Sequence, residues 1–98
     1  MANWSIHFGC ALGYLASMKL PIILVNFKLY ESATGDNALA LAKVHERVAM
    51  ETGASIGVCV NPLDLEKVAR GVSIPVFAQH VDDVVHGSFT GRILPSLV

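Results

Sequence analysis

Three observations predict a parallel α/β fold for this chain. Ile22 to Val25 is an unbroken run of branched apolar residues, the composition of a strand buried on both faces. The segments that follow alternate strand, helix, strand, helix, strand, an order that calls for right-handed crossovers. The first and third strands run directly into polar side chains, Asn26 and Lys28 after the first and Gln79 and His80 after the third. In parallel α/β folds that end of the sheet is where binding sites form.

The chain has 98 residues, enough for one small domain. With 53% hydrophobic and 15% charged residues, it has much to bury. A net charge of −1 and the absence of a basic cluster argue against nucleic acid or an anionic membrane surface as partner. Cys10 and Cys59 form neither a disulfide framework nor a Cys-x-x-Cys site, so a reducing cytoplasm is expected.

Met1 to Ser17 contains no Lys, Arg, Asp or Glu. It lacks the basic start of a secretory signal, and Cys10 to Ala16 falls far short of the roughly 20 residues that span a bilayer. We read it as an extension ahead of a domain that covers residues 18–98. His7 lies within it.

The first strand is expected over Pro21 to Lys28. Side chains two apart on a strand share a side, which would project Asn26 and Lys28 together from its end. A small polar loop, Ser32 to Asp36, follows, and Asp36 is the expected N-cap of a helix over Asn37 to Thr52. Leu41, Val44 and Val48 mark its apolar face. Lys43, Glu46, Arg47 and Glu51 mark a solvated one, with Arg47 and Glu51 as an i, i+4 pair. Gly53 stops it.

Ser55 to Val60 is the second strand. Ile56, Val58 and Val60 alternate with Gly57 and Cys59, whose small side chains permit close approach. Asn61 and Pro62 start a short helix, Leu63 to Arg70, closed by Gly71. Pro75 to Ala78 is the third strand. A loop of about a dozen residues then runs to Arg92, a length usually associated with function or disorder. Ile93 to Val98, with Pro95, begins a further helix.

Lys28 can hold an anion: at 4 Å and an effective dielectric of 20 the attraction is about 4 kcal/mol. Asn26 beside it can donate to a substrate oxygen or accept from the lysine. The plain alternative is a surface lysine next to an asparagine that ends a strand. His80, Asp82 and His86 are competent metal ligands, yet their spacing matches no metal motif and no cysteine joins them, so no metal is expected. His45 reads as a side chain at the margin of a packed helix face. Cys59, between valines, reads as a small buried hydrophobe rather than a nucleophile. Phe89, at the tip of a polar loop, either folds back or inserts into a partner.

Asn26-Phe27-Lys28 after the first strand, Ala78-Gln79-His80 after the third, Gly87-Ser88-Phe89-Thr90-Gly91 in the loop and Ile93-Leu94-Pro95 beyond it occur in order. With these landmarks, Met18 to Val98 resembles the N-terminal part of triosephosphate isomerases, the archaeal branch above all. The resemblance implies an α/β fold that is the first part of a (β/α)8 barrel, with three parallel strands and intervening helices and the barrel not closed, since a complete one needs about 250 residues. It implies interconversion of dihydroxyacetone phosphate and glyceraldehyde 3-phosphate without a metal or organic cofactor.

Asn26 and Lys28 fall on the family's catalytic and substrate-binding Asn and Lys, the lysine stabilising the phosphate and the developing enediolate electrostatically. Thr90 falls on a threonine that reaches into the neighbouring subunit. Gln79 and Phe89 are expected at the same interface, in a homo-oligomer, dimer or tetramer, of the full-length enzyme. The family's catalytic His and Glu follow its fourth and sixth strands and have no counterpart here, so the 98-residue chain is expected to be a fragment, inactive alone. Two other readings remain: a different phosphate-handling barrel enzyme, and a non-catalytic α/β module that binds a protein through the Phe89 loop.

Overall fold

A computed structural model describes residues 20–98. The extension over Met1 to Ser17, with His7 and Cys10, lies outside them. Three strands, β1 (Ile23–Asn26), β2 (Ile56–Val60) and β3 (Val76–Ala78), form one parallel sheet in the order β1-β2-β3. Helix α1 (Asp36–Thr52) connects the first pair and α2 (Leu65–Gly71) the second. Short 3-10 turns cover Glu31–Ala33, Pro62–Asp64 and Pro95–Leu97. The expected topology is therefore present, an unclosed parallel sheet with its crossover helices. Among the described residues no helix is long and apolar enough to cross a membrane.

The register places Val25 opposite Val58 and Val58 opposite Val76. One face of the sheet thus carries Val25, Phe27, Val58, Val60 and Val76, and these join Ala38, Ala42, Val68, Val72 and Ile74 in the core. The other face follows from the strand period: Leu24 sits opposite Gly57, and Cys59 opposite both Asn26 and Phe77. Ile23 and Leu24 are more than half exposed. The expectation that the first strand is buried on both faces is thus corrected. Among the described residues β1 is an edge strand, and its Leu24 face is left half open. Gly57 explains the close fit there, since a β-carbon on it would lie 2.9 Å from Leu24 Cδ2 and 3.0 Å from Phe77 Cε2.

The core face of α1 also differs from the expected one. Ala38 and Ala42 are fully buried, whereas Val44 and Val48 are about 40% exposed. The inward stripe runs Ala38, Ala42, His45, Ala49, with helical spacing. Alanines let the helix lie close to the sheet, and the valines rotate outward. Arg47 and Glu51 make no ion pair among the described residues; the i, i+4 pair that does form is Arg70–Glu66 in α2, at 2.9 Å. Glu46 on the solvated face is also tethered, accepting from both the amide and the hydroxyl of Ser73, which hold its carboxyl below the usual range.

Asp36 is not the N-cap. Gly35 takes that position with a positive φ of 61°, which suits glycine, and Asp36 becomes the first helical residue. At the other end Gly53, at φ 74°, closes α1 as expected by donating to Ala49 O. Asn61 caps the next turn through its side chain, accepting from the Leu63 amide at 3.0 Å, with Pro62 at the first position. That first turn is 3-10, and the α-helix proper starts at Leu65.

Candidate functional site

The candidate site lies at the carboxyl edge of the sheet. Parallel strands all end there, so Asn26, Cys59 and Ala78-Gln79 come together although they are remote in sequence. The ladder continues one residue past β1 and β3: the Phe27 amide donates to Cys59 O at 3.0 Å and the Gln79 amide to Val60 O at 3.0 Å.

Lys28 does not sit on the strand. β1 ends at Asn26, and Lys28 adopts a left-handed backbone with φ 57°. Period-two geometry therefore is not what puts the two residues together, which corrects the expectation. The link is direct instead: the Lys28 amide donates to Asn26 Oδ1 at 2.9 Å. Asn26 thus accepts from the lysine's backbone, not from its ammonium. Its Nδ2 group and the Lys28 ammonium have no hydrogen-bond partner among the described residues, and both residues are exposed.

Gln79 completes the cluster. Its Nε2 donates to Lys28 O at 2.8 Å and lies 3.2 Å from Cys59 O and 3.3 Å from Asn26 Oδ1. The side chain expected at an interface thus reaches intrachain acceptors at the ends of β1 and β2. Sequence reasoning placed Gln79 near the site but had no signal for these bonds, which span up to 53 positions.

Cys59 is half-buried and carries a free thiol, and burial pushes that thiol up from its ordinary pKa. It is a poor nucleophile, in line with the reading as a small apolar residue. His45 packs its ring against Phe27 with centroids 5.4 Å apart and donates from Nδ1 to Leu41 O at 2.8 Å. It belongs to the packed face.

The loop after β3 is organised by Asp82. Its Oδ1 meets His80 Nε2 at 3.0 Å and Arg92 Nη1 at 3.5 Å. A hydrogen bond from the Ile93 amide, then His80 and Arg92, hold its carboxyl below the usual aspartate range. His80 and Asp82 do meet, but among the described residues no three ligating side chains converge on a metal position, and His86 stays apart. Phe89 and Thr90 are exposed on the same loop, and among the described residues neither hydrogen-bonds to Asn26, Lys28 or Gln79.

One supporting group went unpredicted. Asp64 is buried, and its Oδ2 accepts from the Gly35 amide at 2.9 Å and from Asn61 Nδ2. It ties the loop that follows Lys28 to the turn after β2. The signal was present: Asp64 stands three residues after the cap Asn61, the spacing at which a side chain reaches back across a helix start. Lys67 adds an ion pair with Asp36 at 2.8 Å, which lowers the pKa of the acid and raises that of the lysine.

Comparison with known proteins gives a consistent result. The family model described as triosephosphate isomerase matches residues 21–98. Among curated proteins, the triosephosphate isomerase of Metallosphaera sedula is 49% identical over 81 residues, 83% of this chain and 36% of the relative. That of Methanobacterium bryantii is 50% identical over 80 residues, 82% of this chain and 35% of the relative. That of Archaeoglobus fulgidus is 46% identical over 80 residues, with 82% and 36% covered. The chain spans about a third of the length of the curated relatives it matches.

Proposed function

The chain belongs to the triosephosphate isomerase family, and from that premise we propose that Asn26 and Lys28 form the substrate-holding part of a site for a small phosphorylated triose. The observation that carries the proposal is their geometry. Asn26 is oriented by its own Oδ1, which accepts from the Lys28 amide, and this leaves its Nδ2 group and the Lys28 ammonium, two residues away, without a hydrogen-bond partner among the described residues. An anionic oxygen placed between them receives a charge-assisted bond and an amide bond. The lysine's role is electrostatic: it stabilises negative charge on the phosphate and on the oxygen that becomes enediolate.

The family's proton-transferring His and Glu have no counterpart in residues 20–98, and among the described residues no histidine hydrogen-bonds to Asn26 or Lys28. His45 is packed against Phe27, His80 is paired with Asp82, and the Cys59 thiol is held protonated by burial. The proposed activity, interconversion of dihydroxyacetone phosphate and glyceraldehyde 3-phosphate, therefore needs a base and an acid from further barrel strands, and the 98-residue chain does not catalyse it alone. A homo-oligomer engaging the exposed Phe89 and Thr90 belongs to the same proposal, as does a cytoplasmic location, which the low cysteine content supports.

The test is a chimera in which residues 21–98 replace the matched segment of the Metallosphaera sedula relative. Turnover is expected from the chimera, with a fall of about 10²- to 10³-fold on Lys28→Met, the scale of losing one electrostatic group at the reacting oxygens. A folded chimera that turns over equally well with Lys28→Met sinks the assignment, and so does turnover by the 98-residue chain alone.

A further inference from the structure

Among the described residues, Lys28 is the only non-glycine with a positive φ. A left-handed backbone crowds the β-carbon of any L-residue, and lysine has no short polar side chain to support it locally as Asn or Asp do. The support has to come from elsewhere, and both peptide groups flanking Lys28 show it. The N–H is taken by Asn26 Oδ1 at 2.9 Å, and the C=O receives Gln79 Nε2 at 2.8 Å.

Gln79 is well placed to act as a fixed reference. Its backbone amide is bonded to Val60 O, so the side chain leaves from the end of the sheet ladder. Nε2 has two hydrogens and three acceptors within 3.3 Å. The shortest bond goes to Lys28 O, and the second hydrogen is shared between Cys59 O and Asn26 Oδ1. Cys59 O is itself anchored by the Phe27 amide. The amide therefore measures the Lys28 backbone against β2 and β3 together.

We propose that Gln79 is a positioning residue for Lys28: it holds the lysine in its left-handed conformation and so fixes the direction in which the ammonium leaves the sheet. The importance of that direction rests on the reading of Lys28 as a substrate-holding group. The conformational claim itself does not.

The experiment compares four forms of the 98-residue chain at matched concentration by thermal unfolding: parent, Gln79→Met, Lys28→Gly and the double variant. Methionine is close in length to glutamine and donates nothing. Glycine adopts positive φ freely and removes the need for support. Gln79→Met is expected to lower the midpoint by several degrees in the parent and by less than half as much in the Lys28→Gly background, a coupling that a general packing role does not produce. Equal losses in both backgrounds overturn the proposal. If Gln79→Met alone does not fold, a cooperative melt in the double variant supports the proposal and its absence overturns it. Failure of the functional reading appears separately, as a folded chimera indifferent to Lys28, with the coupling intact.

Discussion

Asp82 and Ile93 are joined by a reciprocal pair of hydrogen bonds: the Asp82 amide donates to Ile93 O at 2.9 Å, and the Ile93 amide donates to Asp82 Oδ2 at 2.7 Å. The loop carrying Phe89 and Thr90 is thereby closed at its base by one residue on each side. The carboxylate also faces His80 and Arg92.

That closure makes the loop acid-sensitive. The Asp82 pKa is depressed in the folded state, by the Ile93 amide first and then by His80 and Arg92. The loop bond is thus fully present above the ordinary aspartate value near 4 and is lost as pH falls through the depressed pKa. Amide exchange at Ile93, read by NMR, is expected to accelerate below about pH 4 relative to the core amides of β2. In Asp82→Asn this selective acceleration should vanish; an unchanged acid profile in that variant contradicts the assignment.

The packing of α1 gives a second prediction. Ala42 is fully buried against the sheet, while Val44 is substantially exposed. Ala42→Leu is expected to destabilise by about 1–3 kcal/mol through overpacking, and Val44→Ser to change stability by less than about 0.5 kcal/mol. Denaturant melts of both variants check the order, and the reverse order would restore the valine face as the core face.

Asp64 supplies a third. Asp64→Ala leaves the Gly35 amide and Asn61 Nδ2 without their acceptor in a buried setting, a loss of about 1–3 kcal/mol. Because the bond to Gly35 anchors the loop after Lys28, exchange at the Gly35 amide should rise more than exchange at Ala42. Uniform acceleration at both sites would mean that Asp64 serves global stability only.

The open sheet face yields the fourth. Leu24 is half exposed over Gly57, and among the described residues β1 and β3 are edge strands. An apolar face next to an unpaired edge invites association in water. The 98-residue chain should elute well above a 10.5 kDa monomer, and Leu24→Lys should shift it toward that size. A monodisperse, cooperatively unfolding monomer would instead favour an independent module working through the Phe89 loop.

Features governed by neighbours in sequence were legible before the structure. Asn61-Pro62 caps a helix because cap and proline act within three residues, and Gly53 ends α1 because a left-handed residue closes the last turn. The strand order followed from the alternation of elements. Features that depend on distances between elements were not. Alanine carries little hydrophobic signal, so Ala38 and Ala42 were passed over for valines, although small side chains are what a close helix-to-sheet contact requires. Asn26 and Lys28 were paired correctly for the wrong reason, since no local pattern announces a left-handed lysine. The three-way reach of Gln79 joins residues up to 53 positions apart, and only the parallel sheet brings them within range.

The orientation of Asn26 has a consequence for what can dwell beside it. Its carbonyl oxygen already receives the Lys28 amide and lies within reach of Gln79. What the exposed Asn26–Lys28 pair has left to offer is therefore hydrogens and positive charge, the Asn26 oxygen being already engaged. If the pair holds substrate as proposed, such a mouth discriminates by polarity before shape, favouring anionic and carbonyl oxygens over amines and other cations.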